Sequence, residues 1–546
     1  MAGAAASLSP IEFARPSRTH PPVNKWLVTV SVTFGTLMGA IDASIVNVAV
    51  PKLRGAVGAT VEEITWISTG FALATVLVIP LTAFLGRLFG QKRVYLACLI
   101  LFVAGSALCG MARSLAALVA FRVLQGFGAG ALQPTEQAIL RQTFPREEQG
   151  MAMALFGMAV MIGPAFGPTL GGYIVDNYSW PWIFYINVPV GVLGLFMVTS
   201  FVHDPVDIRE ANRAAAVLQR RHMDWAGIAL LSVGLSSLQY ALEEGNKYDW
   251  FSSPRIDACL LVALLALAFF VVRELTAVVP AVDISLFRDP VFLSGTVIGG
   301  IMLAMLLSLT FLLPLFLEEV LGFTAMQAGL ALLPRTIVMM AVTPIVGRLY
   351  NRVPPRIFVA VAVLMFFVSA YMMSHYTLDT GSGGVVASLV LQGVAFSCLW
   401  VSLTTVALSS IPRHKLADAT GLNSLVRQIG GSIGLAFFAT VLPRAQDGAR
   451  AGLVAHLDPG RPEVMTRITA VQSLLVSRGG LDLTSARAAA TRALDSVINR
   501  QAAVLAFEKM FLLAGILFLA VMPLLFFLRV PKSAKSSAKA DVHVEF

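Results

Sequence analysis

The chain contains fourteen apolar runs of about twenty residues or more, and these runs constrain the fold more than any other feature. An α-helix of roughly twenty residues crosses the hydrocarbon layer of a bilayer, which is roughly 30 Å thick. Because 57% of the residues are hydrophobic and only 13% are charged, an ordinary water-exposed globular surface is excluded. The pattern therefore predicts an all-α integral membrane protein with fourteen transmembrane helices. The runs lie at residues 26–50, 62–85, 93–112, 114–140, 149–175, 182–202, 224–242, 257–279, 290–317, 326–347, 356–376, 384–410, 417–442 and 506–529.

Lysine and arginine are concentrated in every second connection between the apolar runs. Arg87, Lys92 and Arg93 follow the second run, and Arg141 and Arg146 follow the fourth. Because cytoplasmic loops are enriched in these residues, the pattern predicts that both termini are cytoplasmic. The same pattern accounts for the net charge of +9, so the charge does not indicate nucleic-acid binding.

The order of the apolar runs predicts two six-helix bundles with two extra helices between them. Residues 1–25 form a polar N-terminal tail, 26–202 the first bundle, 203–223 a cytoplasmic linker, 224–279 the two additional helices, 280–529 the second bundle, and 530–546 a polar C-terminal tail. A weak internal repeat supports this division, since LGRLFGQKR after the second run is similar to VGRLYNRVPPR in the later block. Internal repeats of this kind are common in transporters.

Residues 443–501 form the one long segment between apolar runs of the second bundle. Its Ala- and Arg-rich stretch from Ser485 to Asn499 predicts an amphipathic surface helix, with a disordered loop as the alternative.

The sequence provides no pattern typical of catalysis, a metal site or a cofactor. The seven histidines show no HExxH arrangement and no nucleophile elbow is present. The four cysteines lie in or beside apolar runs without metal-ligand spacing, which predicts packing residues: Cys98, Cys109, Cys259 and Cys398. We therefore expect neither an enzyme nor a protein with a bound cofactor or metal.

A glycine- and proline-rich stretch, GMAVMIGPAFGPTLGG, occupies residues 157–172 of the fifth apolar run. Four-residue spacing places three of its glycines on one helix face, which permits close packing against a neighbouring membrane helix. Its two prolines remove backbone donors and predict a bend. A generic packing helix is the alternative. The residues of interest are Gly157, Gly163, Pro164, Gly167, Pro168, Gly171 and Gly172.

Two opposite charges lie at matching depth in the first and fourth apolar runs. Asp42 and Arg122 are each about eight residues from the same membrane surface, or roughly 12 Å deep. Burial favours a neutral carboxylic acid, whereas a nearby guanidinium favours the ionised form. Making and breaking this pair would therefore release and capture a proton. A permanent structural ion pair is the alternative.

Other polar or flexible side chains in the apolar runs are candidates for a cavity or gate. Glu136 is one turn from the inner end of the fourth run, which predicts an interfacial or gating position. Arg335 and Arg427 are nearer mid-membrane and would face a water-filled cavity or bind backbone carbonyls. The twelfth run has no carboxylate, which argues against a dication site. Gln125 and the methionines Met302, Met305, Met339 and Met340 are further candidates, the methionines for a repackable pocket, with core packing as the alternative.

Several of these stretches carry a family resemblance. IDASIVNVAVPKL around Asp42, FRVLQGFGAGALQP around Arg122, the stretch from Gly163 to Gly172, and IFYINVPVG from Ile183 to Gly191 resemble the motifs of the fourteen-span drug:proton antiporters of the major facilitator superfamily, the EmrB/QacA type. The loop motif is represented by Gly86, Arg87, Gly90, Lys92 and Arg93. It departs from the family at Arg87, where an acidic residue is usual, and at Ala83, where glycine is usual.

The resemblance implies a major facilitator fold and proton-coupled multidrug efflux by alternating access, with Asp42 and Arg122 in the proton path and the proton gradient as the driving force. It also implies residence in a bacterial inner membrane and, where a second membrane exists, a periplasmic adaptor and an outer-membrane channel as partners. A proton-coupled exporter or symporter for one specific metabolite is the alternative, although the stretch GPAFGPTLGG weighs against a symporter.

Overall fold

The computed structural model describes residues 24–204, 223–277, 280–350, 352–457, 462–479 and 482–528, together with residues 209, 216 and 219. Residues 1–23 of the predicted N-terminal tail, the predicted C-terminal tail and most of the predicted linker at 203–223 lie outside the described residues. Within the described residues the secondary structure is helical, with seventeen α-helices and no strand. The predicted all-α class is confirmed.

The first bundle comprises α1 (Lys25–Val57), α2 (Val61–Ile64), α3 (Trp66–Phe89), α4 (Gln91–Met111), α5 (Leu115–Thr143), α6 (Gln149–Asn177), α7 (Trp182–Tyr185) and α8 (Asn187–Phe201). The additional pair is α9 (Trp225–Glu244) and α10 (Pro254–Thr276). The second bundle comprises α11 (Pro290–Leu315), α12 (Ala325–Leu349), α13 (Pro355–Met373), α14 (Ser382–Val406), α15 (Leu416–Ala455), α16 (Pro462–Gly479) and α17 (Leu483–Leu519).

The number of long apolar helices agrees with the prediction. Thirteen helical segments of the described chain are long and apolar enough to cross a membrane, and α2 and α7 merge with α3 and α8 in this count. The 29-residue helix α6 is the fourteenth. The protein is therefore a multi-pass membrane protein.

Local sequence signals set where several helices begin and end. The side chain of Asn24 accepts a hydrogen bond from the Trp26 backbone at the start of α1, and Gly58 ends α1 in the left-handed conformation. Gly90, with φ of +90°, turns the chain between α3 and α4. A reciprocal capping box of Thr324 and Gln327 begins α12.

Each bundle is built around close helix pairs. In the first bundle α1 packs on α6, while α3 and α4 pack on α5. In the second bundle α11 packs on α15, and α14 packs on both α12 and α13. The bundles meet mainly through α6 with α12 and through α3 with α15, so the helices that pack on α1 and α5, which carry Asp42 and Arg122, also form the seam between the halves.

The additional pair, α9 and α10, contacts both bundles through α9. Thr69 of α3 donates a hydrogen bond to Glu244 at 3.4 Å, and Gln239 donates one to Ser432 of α15 at 3.0 Å. Just after α9, the Trp250 indole donates to Thr440 of α15 at 2.7 Å. By contrast, α10 exposes large apolar side chains suited to contact with lipid: Leu261, Val262, Leu264, Leu265, Phe269, Val271, Val272 and Leu275.

The segment at residues 443–501 is largely helical in its described part. Helix α15 continues thirteen residues beyond the predicted apolar run, and α17 begins well before the run at 506–529. The stretch from Ser485 to Asn499 lies inside α17, so the helical alternative is the one observed. Arg450 of α15 binds Asp495 at 2.8 Å and Asn499 at 2.7 Å on α17, and α16 packs against α17. We call the part of α15 after residue 443, α16 and the part of α17 before residue 501 the helical hairpin.

Candidate functional site

Asp42 and Arg122 form a buried ion pair in the first bundle. Asp42 lies on α1 and Arg122 on α5, and the distance from Arg122 Nη1 to Asp42 Oδ2 is 2.6 Å. Their exposed fractions are 0% and 1%. The structure thus brings together the two charges that the sequence placed at equal depth.

The Asp42 carboxylate also accepts hydrogen bonds from two amide side chains. Gln125 Nε2 and Asn187 Nδ2 each donate to Asp42 Oδ1 at 2.9 Å. Ser106 of α4 contacts both amides, at 3.2 and 2.9 Å, and itself donates to the Phe184 carbonyl at 2.9 Å. The network around the carboxylate is therefore built from side chains of four helices, α1, α4, α5 and α8.

Arg122 is fixed by further contacts on its other side. Its Nη1 donates to Gln125 Oε1 at 2.7 Å, and its Nε donates to the Ile67 carbonyl at 3.3 Å. Its guanidinium carbon lies 4.1 Å from the centre of the Phe71 ring, within the range of a cation–π contact. These contacts hold the guanidinium beside Asp42, and protonation of Asp42 would remove the charge that Arg122 binds.

Sequence reasoning missed Ser106 and did not assign a role to Asn187. Neutral polar residues are common in membrane helices, so neither residue stands out by type alone. Asn187 does fall within the stretch IFYINVPVG, and that stretch was the available signal.

The glycine face of α6 lies directly against α1. A Cβ atom added at Gly163 would lie 2.2 Å from the Ala40 carbonyl oxygen, and one at Gly167 would lie 2.4 Å from Ser44 Cβ. Gly171 is slightly less crowded against Ile45, and Gly172 has open space around it. Since α1 carries Asp42, this packing fixes the helix on which the ion pair depends. Pro164 and Pro168 lie within α6, but their side chains are outside the described residues.

The loop motif contributes an ion pair between the halves. Arg87 at the end of α3 binds Asp418 at the start of α15 and donates to the Ala281 carbonyl at 3.3 Å. Position 87, where an acidic residue was expected, thus carries a cation. The carboxylate that pairs with it, Asp418, belongs to the second bundle. The sequence analysis did not identify Asp418.

Backbone contacts support this junction between the halves. Arg141 donates to the Thr404 carbonyl at 2.9 Å, and Arg413 donates to the Gln142 carbonyl at 2.9 Å. The halves are therefore joined at the end of the molecule that contains Arg87.

Gly90 and Lys92 of the loop motif contact the end of the first bundle. The Lys92 backbone donates to Asp204 at 3.0 Å, and Lys92 Nζ donates to the Thr199 carbonyl at 2.8 Å. Burial raises the pKa of Asp204, with Lys92 acting in the opposite direction. Arg93 is exposed and Gly86 is buried.

Glu136 is enclosed by protein in the first bundle. Its side chain is fully buried, and Thr33 of α1 donates to Oε1 at 3.2 Å. Its second oxygen has no hydrogen-bond partner among the described residues. The interfacial or gating position expected from the sequence stays a prediction.

Arg335 and Arg427, the two candidate arginines of the second bundle, contact side chains. The sequence analysis offered a water-filled cavity or backbone carbonyls as their surroundings, and no contact with a backbone carbonyl is seen among the described residues. Arg335 binds Gln392 at 3.2 Å and Thr310 at 3.0 Å. Arg427 lies with its guanidinium carbon 3.8 Å from the centre of the Trp400 ring. Of the four methionines, Met302, Met305 and Met339 are buried in the hydrophobic core and Met340 is half-buried.

Two helical bundles that meet at a seam, with a buried charge network inside the first bundle, are the features of a transporter of the major facilitator class, and residues 32–435 match the Major Facilitator Superfamily. The chain belongs to that family. It is similar to the multidrug export protein EmrB of Escherichia coli (strain K12), with 34% identity over 93% of this chain and 96% of the relative. It is also 31% identical to the fatty acid resistance protein FarB of Neisseria gonorrhoeae, over 94% of this chain and 98% of the relative. These similarities place it in the EmrB/QacA branch.

Solved structures support the fold. The human organic anion transporter MFSD10 aligns with a TM-score of 0.57 and 17% identity, covering 93% of this chain and 100% of that chain. The proton:xylose symporter XylE aligns with a TM-score of 0.57 and 12% identity, covering 93% and 96%.

Proposed function

We propose that the protein is a proton-coupled multidrug efflux antiporter that works by alternating access. The observation that carries the proposal is the fully buried Asp42 carboxylate, bound by Arg122, Gln125 and Asn187. A buried ionisable residue in a membrane helix is a functional site by default. The names of the relatives, which include a multidrug export protein, support export of small molecules.

The proposed cycle depends on the charge of Asp42. When a proton reaches Asp42, the attraction to Arg122 weakens, and the contacts between α1 and the helices carrying Arg122 and Asn187 loosen. Because α1 is packed tightly on α6, and α6 contacts α12 of the other half, the change passes to the seam between the halves. Release of the proton on the other side restores the pair and resets the transporter.

Purified protein in liposomes with an imposed pH gradient tests this proposal. We expect proton-driven accumulation of a drug in the wild type and its loss in Asp42→Asn, because asparagine cannot titrate. Asp176→Asn is the matched control, since Asp176 is an exposed carboxylate at the end of α6. Undiminished pH-driven transport by a correctly inserted Asp42→Asn variant would remove Asp42 from the proton path.

The sign of the gradient separates the two candidate functions. An antiporter moves its substrate against the direction of proton flow, whereas a symporter moves both together. Substrate flux that reverses with the pH gradient and runs with the protons would establish an uptake symporter instead.

We further propose that both termini are cytoplasmic, that the protein resides in a bacterial inner membrane, and that the helical hairpin docks a periplasmic adaptor leading to an outer-membrane channel. The distribution of Lys and Arg supports the orientation. The hairpin supports the docking role because it projects beyond the apolar spans and exposes large apolar side chains: Val454, Met465, Leu474, Val476, Leu483 and Val497.

A further inference from the structure

Glu274, near the C-terminal end of α10, is a buried carboxylate without a cation partner among the described residues. Its exposed fraction is 5%, and its Oε2 accepts a hydrogen bond from the Val282 backbone at 3.5 Å. Its Oε1 is buried and has no hydrogen-bond partner in the described part of the chain. Burial of an unpaired charge is unfavourable, so a carboxylate in this position needs a cation at some stage of its working cycle.

Three other carboxylates lie at this end of the molecule, and each has its own cation. Asp224 is the one beside Glu274, since a Cβ atom added at Gly227 would lie 2.7 Å from Asp224 Oδ2 and 3.0 Å from Glu274 Oε1. Among these four carboxylates, Glu274 is therefore the one without a cation. The three pairs are Asp224 with Arg273 at 3.1 Å, Asp283 with Lys415 at 2.7 Å, and Asp418 with Arg87.

Arg87 and Glu274 bind the two sides of one peptide group. Arg87 Nη2 donates to the Ala281 carbonyl at 3.3 Å, and Glu274 Oε2 accepts from the Val282 amide. This carbonyl and this amide belong to the same planar trans peptide, in which they point in opposite directions. A single peptide group thus separates the guanidinium from the carboxylate, and their charges interact across it.

The additional pair, α9 and α10, packs mainly with the half that carries Arg87. Helix α9 packs on α10 and on α3, and less extensively on α15. Its hydrogen bond to α15, from Gln239, lies near the C-terminal end of α9, whereas Glu274 packs at the N-terminal end. Separation of the halves at this end would therefore move Asp418 away from Arg87 and leave Glu274 beside it.

We infer that Glu274 is the partner of Arg87 in the form of the transporter whose junction between the halves is open. When the junction opens, Arg87 exchanges Asp418 for Glu274, so the guanidinium keeps a carboxylate partner throughout the cycle. Glu274 is thus a positioning residue that acts through Arg87, and the additional pair is part of the gate. This inference rests on the proposed alternating access and assigns a role in it to α9 and α10.

A cysteine placed behind the junction reports how often the junction opens. Thr420 is buried and lines a small cavity together with Gly86 and Ala417, the neighbours of Arg87 and Asp418 in the chain. The rate at which a water-soluble maleimide labels purified protein with Thr420→Cys measures the open fraction. Protein without Thr420→Cys gives the background from the four native cysteines.

The two acidic partners of Arg87 should shift the labelling rate in opposite directions. Asp418→Asn removes the partner in the closed form and should raise the rate. Glu274→Gln removes the partner in the open form and should lower it by about fivefold or more, a change typical of coupled sites. Glu274→Asp should recover part of the rate because it keeps the charge. Asp257→Asn, an exposed acid on the same helix, should label like the parent.

Removal of the guanidinium separates this role from a structural one. In protein that carries Arg87→Ala, Glu274→Gln should have no further effect on labelling, because Glu274 acts through Arg87. If Glu274→Gln does not purify as a folded protein, Glu274→Asp is compared with its parent in both backgrounds instead. An effect of equal size with and without Arg87 would overturn the inference.

Unchanged or faster labelling in Glu274→Gln would also overturn it. Labelling requires neither a substrate nor a pH gradient, so its outcome is independent of proton-coupled export. If pH-driven drug transport is observed and Glu274→Gln labels like the parent, the export function stands and the role of Glu274 is wrong. If the opposite shifts are found but no drug moves with the pH gradient, the role of Glu274 stands and the proposed export fails.

Discussion

At the scale of single residues, the feature that matters is that the partners of Asp42 come from two other helices. Arg122 and Gln125 lie on α5, Asn187 on α8, and Ser106, which bridges the two amides, on α4. The hydrogen bonds of the carboxylate therefore depend on the relative positions of α1, α5 and α8. A shift of α1 alone would break all three of them.

Replacing Asn187 by leucine should slow drug exchange without abolishing it. Asn187 donates one of the three hydrogen bonds that the Asp42 carboxylate accepts, and the donors Arg122 and Gln125 remain in the variant. A hydrogen bond to a charged group contributes about 1.5 kcal/mol, which corresponds to roughly a tenfold change in rate. Initial rates of drug exchange in proteoliposomes measure the loss.

Asn177→Leu provides the comparison, because Asn177 is an exposed asparagine at the end of α6 whose side chain binds only a nearby backbone carbonyl. Equal exchange rates in Asn187→Leu and Asn177→Leu would mean that the hydrogen bond from Asn187 to Asp42 does not matter for transport.

At the scale of helices, two elements have clear consequences for function. The first is the contact between α1 and α6, where glycines allow the backbones to approach closely. The second is the helical hairpin, in which α15 and α17 continue out of the apolar region as paired helices. The first fixes the position of α1, which carries Asp42, and the second extends two helices of the second bundle beyond the predicted apolar runs.

Gly167→Leu should block conformational cycling while leaving substrate binding largely intact. An added side chain at this position would collide with Ser44 of α1, since even a Cβ atom lies 2.4 Å from Ser44 Cβ. Transport rate and binding affinity, measured on the same purified protein, separate the two effects.

Gly172→Leu is the control in the same helix, because Gly172 has open space around it. If both variants transport equally well, the close packing of α1 on α6 is not required. If Gly167→Leu loses binding and transport in parallel, the position contacts the substrate or the bundle has collapsed.

Replacing residues 456–482 by a short Gly/Ser linker should separate transport from docking. The segment contains α16 and its connections, whereas α15 and α17 remain paired through Arg450 with Asp495 and Asn499. We expect unchanged exchange in liposomes, where no adaptor is present, together with loss of adaptor co-purification and loss of drug resistance in cells with two membranes.

Leu264→Ala, which removes an exposed apolar side chain from α10, controls for a general loss of exposed apolar surface. Retained adaptor binding and resistance in the linker variant would assign docking to another surface. Loss of liposome transport would instead make α16 part of the transport cycle.

At the scale of the whole molecule, the two halves are held together at one end by Arg87 with Asp418 and by contacts from Arg141 and Arg413. The additional pair, α9 and α10, links α3 with α15 from the side. Opening at the Arg87 end must therefore break an ion pair whose two members belong to different halves.

Exchanging the charges of Arg87 and Asp418 should restore the rate of drug exchange that each single substitution lowers. Arg87→Asp and Asp418→Arg each place like charges together at the junction and should favour its open form, lowering the rate of exchange. The double variant should recover most of the activity, with a coupling energy of about 0.5–3 kcal/mol, as for other residues in contact. The four proteins of this cycle are compared by exchange rate in proteoliposomes.

An additive loss in the double variant would show that the two residues act independently. A charge exchange on the exposed pair Lys52 and Asp176, in which neither single change should matter, provides the reference.

The sequence predicted the fold because bilayer thickness fixes the length of apolar runs, and fourteen runs imply fourteen helices. It also predicted the approach of Asp42 and Arg122, since depth in a helix follows directly from residue number. It did not predict that Asp418 pairs with Arg87, because the two are far apart in the chain and each lies at a helix end where charges are common. Trp400 was missed for a similar reason, since one aromatic residue in an apolar helix carries no signal until its neighbours are known.

The ends of the helices in the helical hairpin could not be predicted from hydropathy. Apolar content identifies where a helix enters lipid, but it cannot identify where the same helix ends in water. Boundaries at 442 and 506 were therefore set by the bilayer, whereas the helices themselves end at Ala455 and begin at Leu483. Helix propensity and pairing between α15 and α17 determine those ends.

Because α15 is one continuous helix, a small tilt of the helix moves its outer end, in the hairpin, by a larger distance. Its 40 residues span about 60 Å as one helix, so a tilt of roughly 10° about its inner end would displace the outer tip by about 10 Å. A small rotation of the second half inside the membrane would thus become a large movement outside it. A protein bound at the outer end of the hairpin would then be displaced when the second half rotates, without contacting substrate or proton.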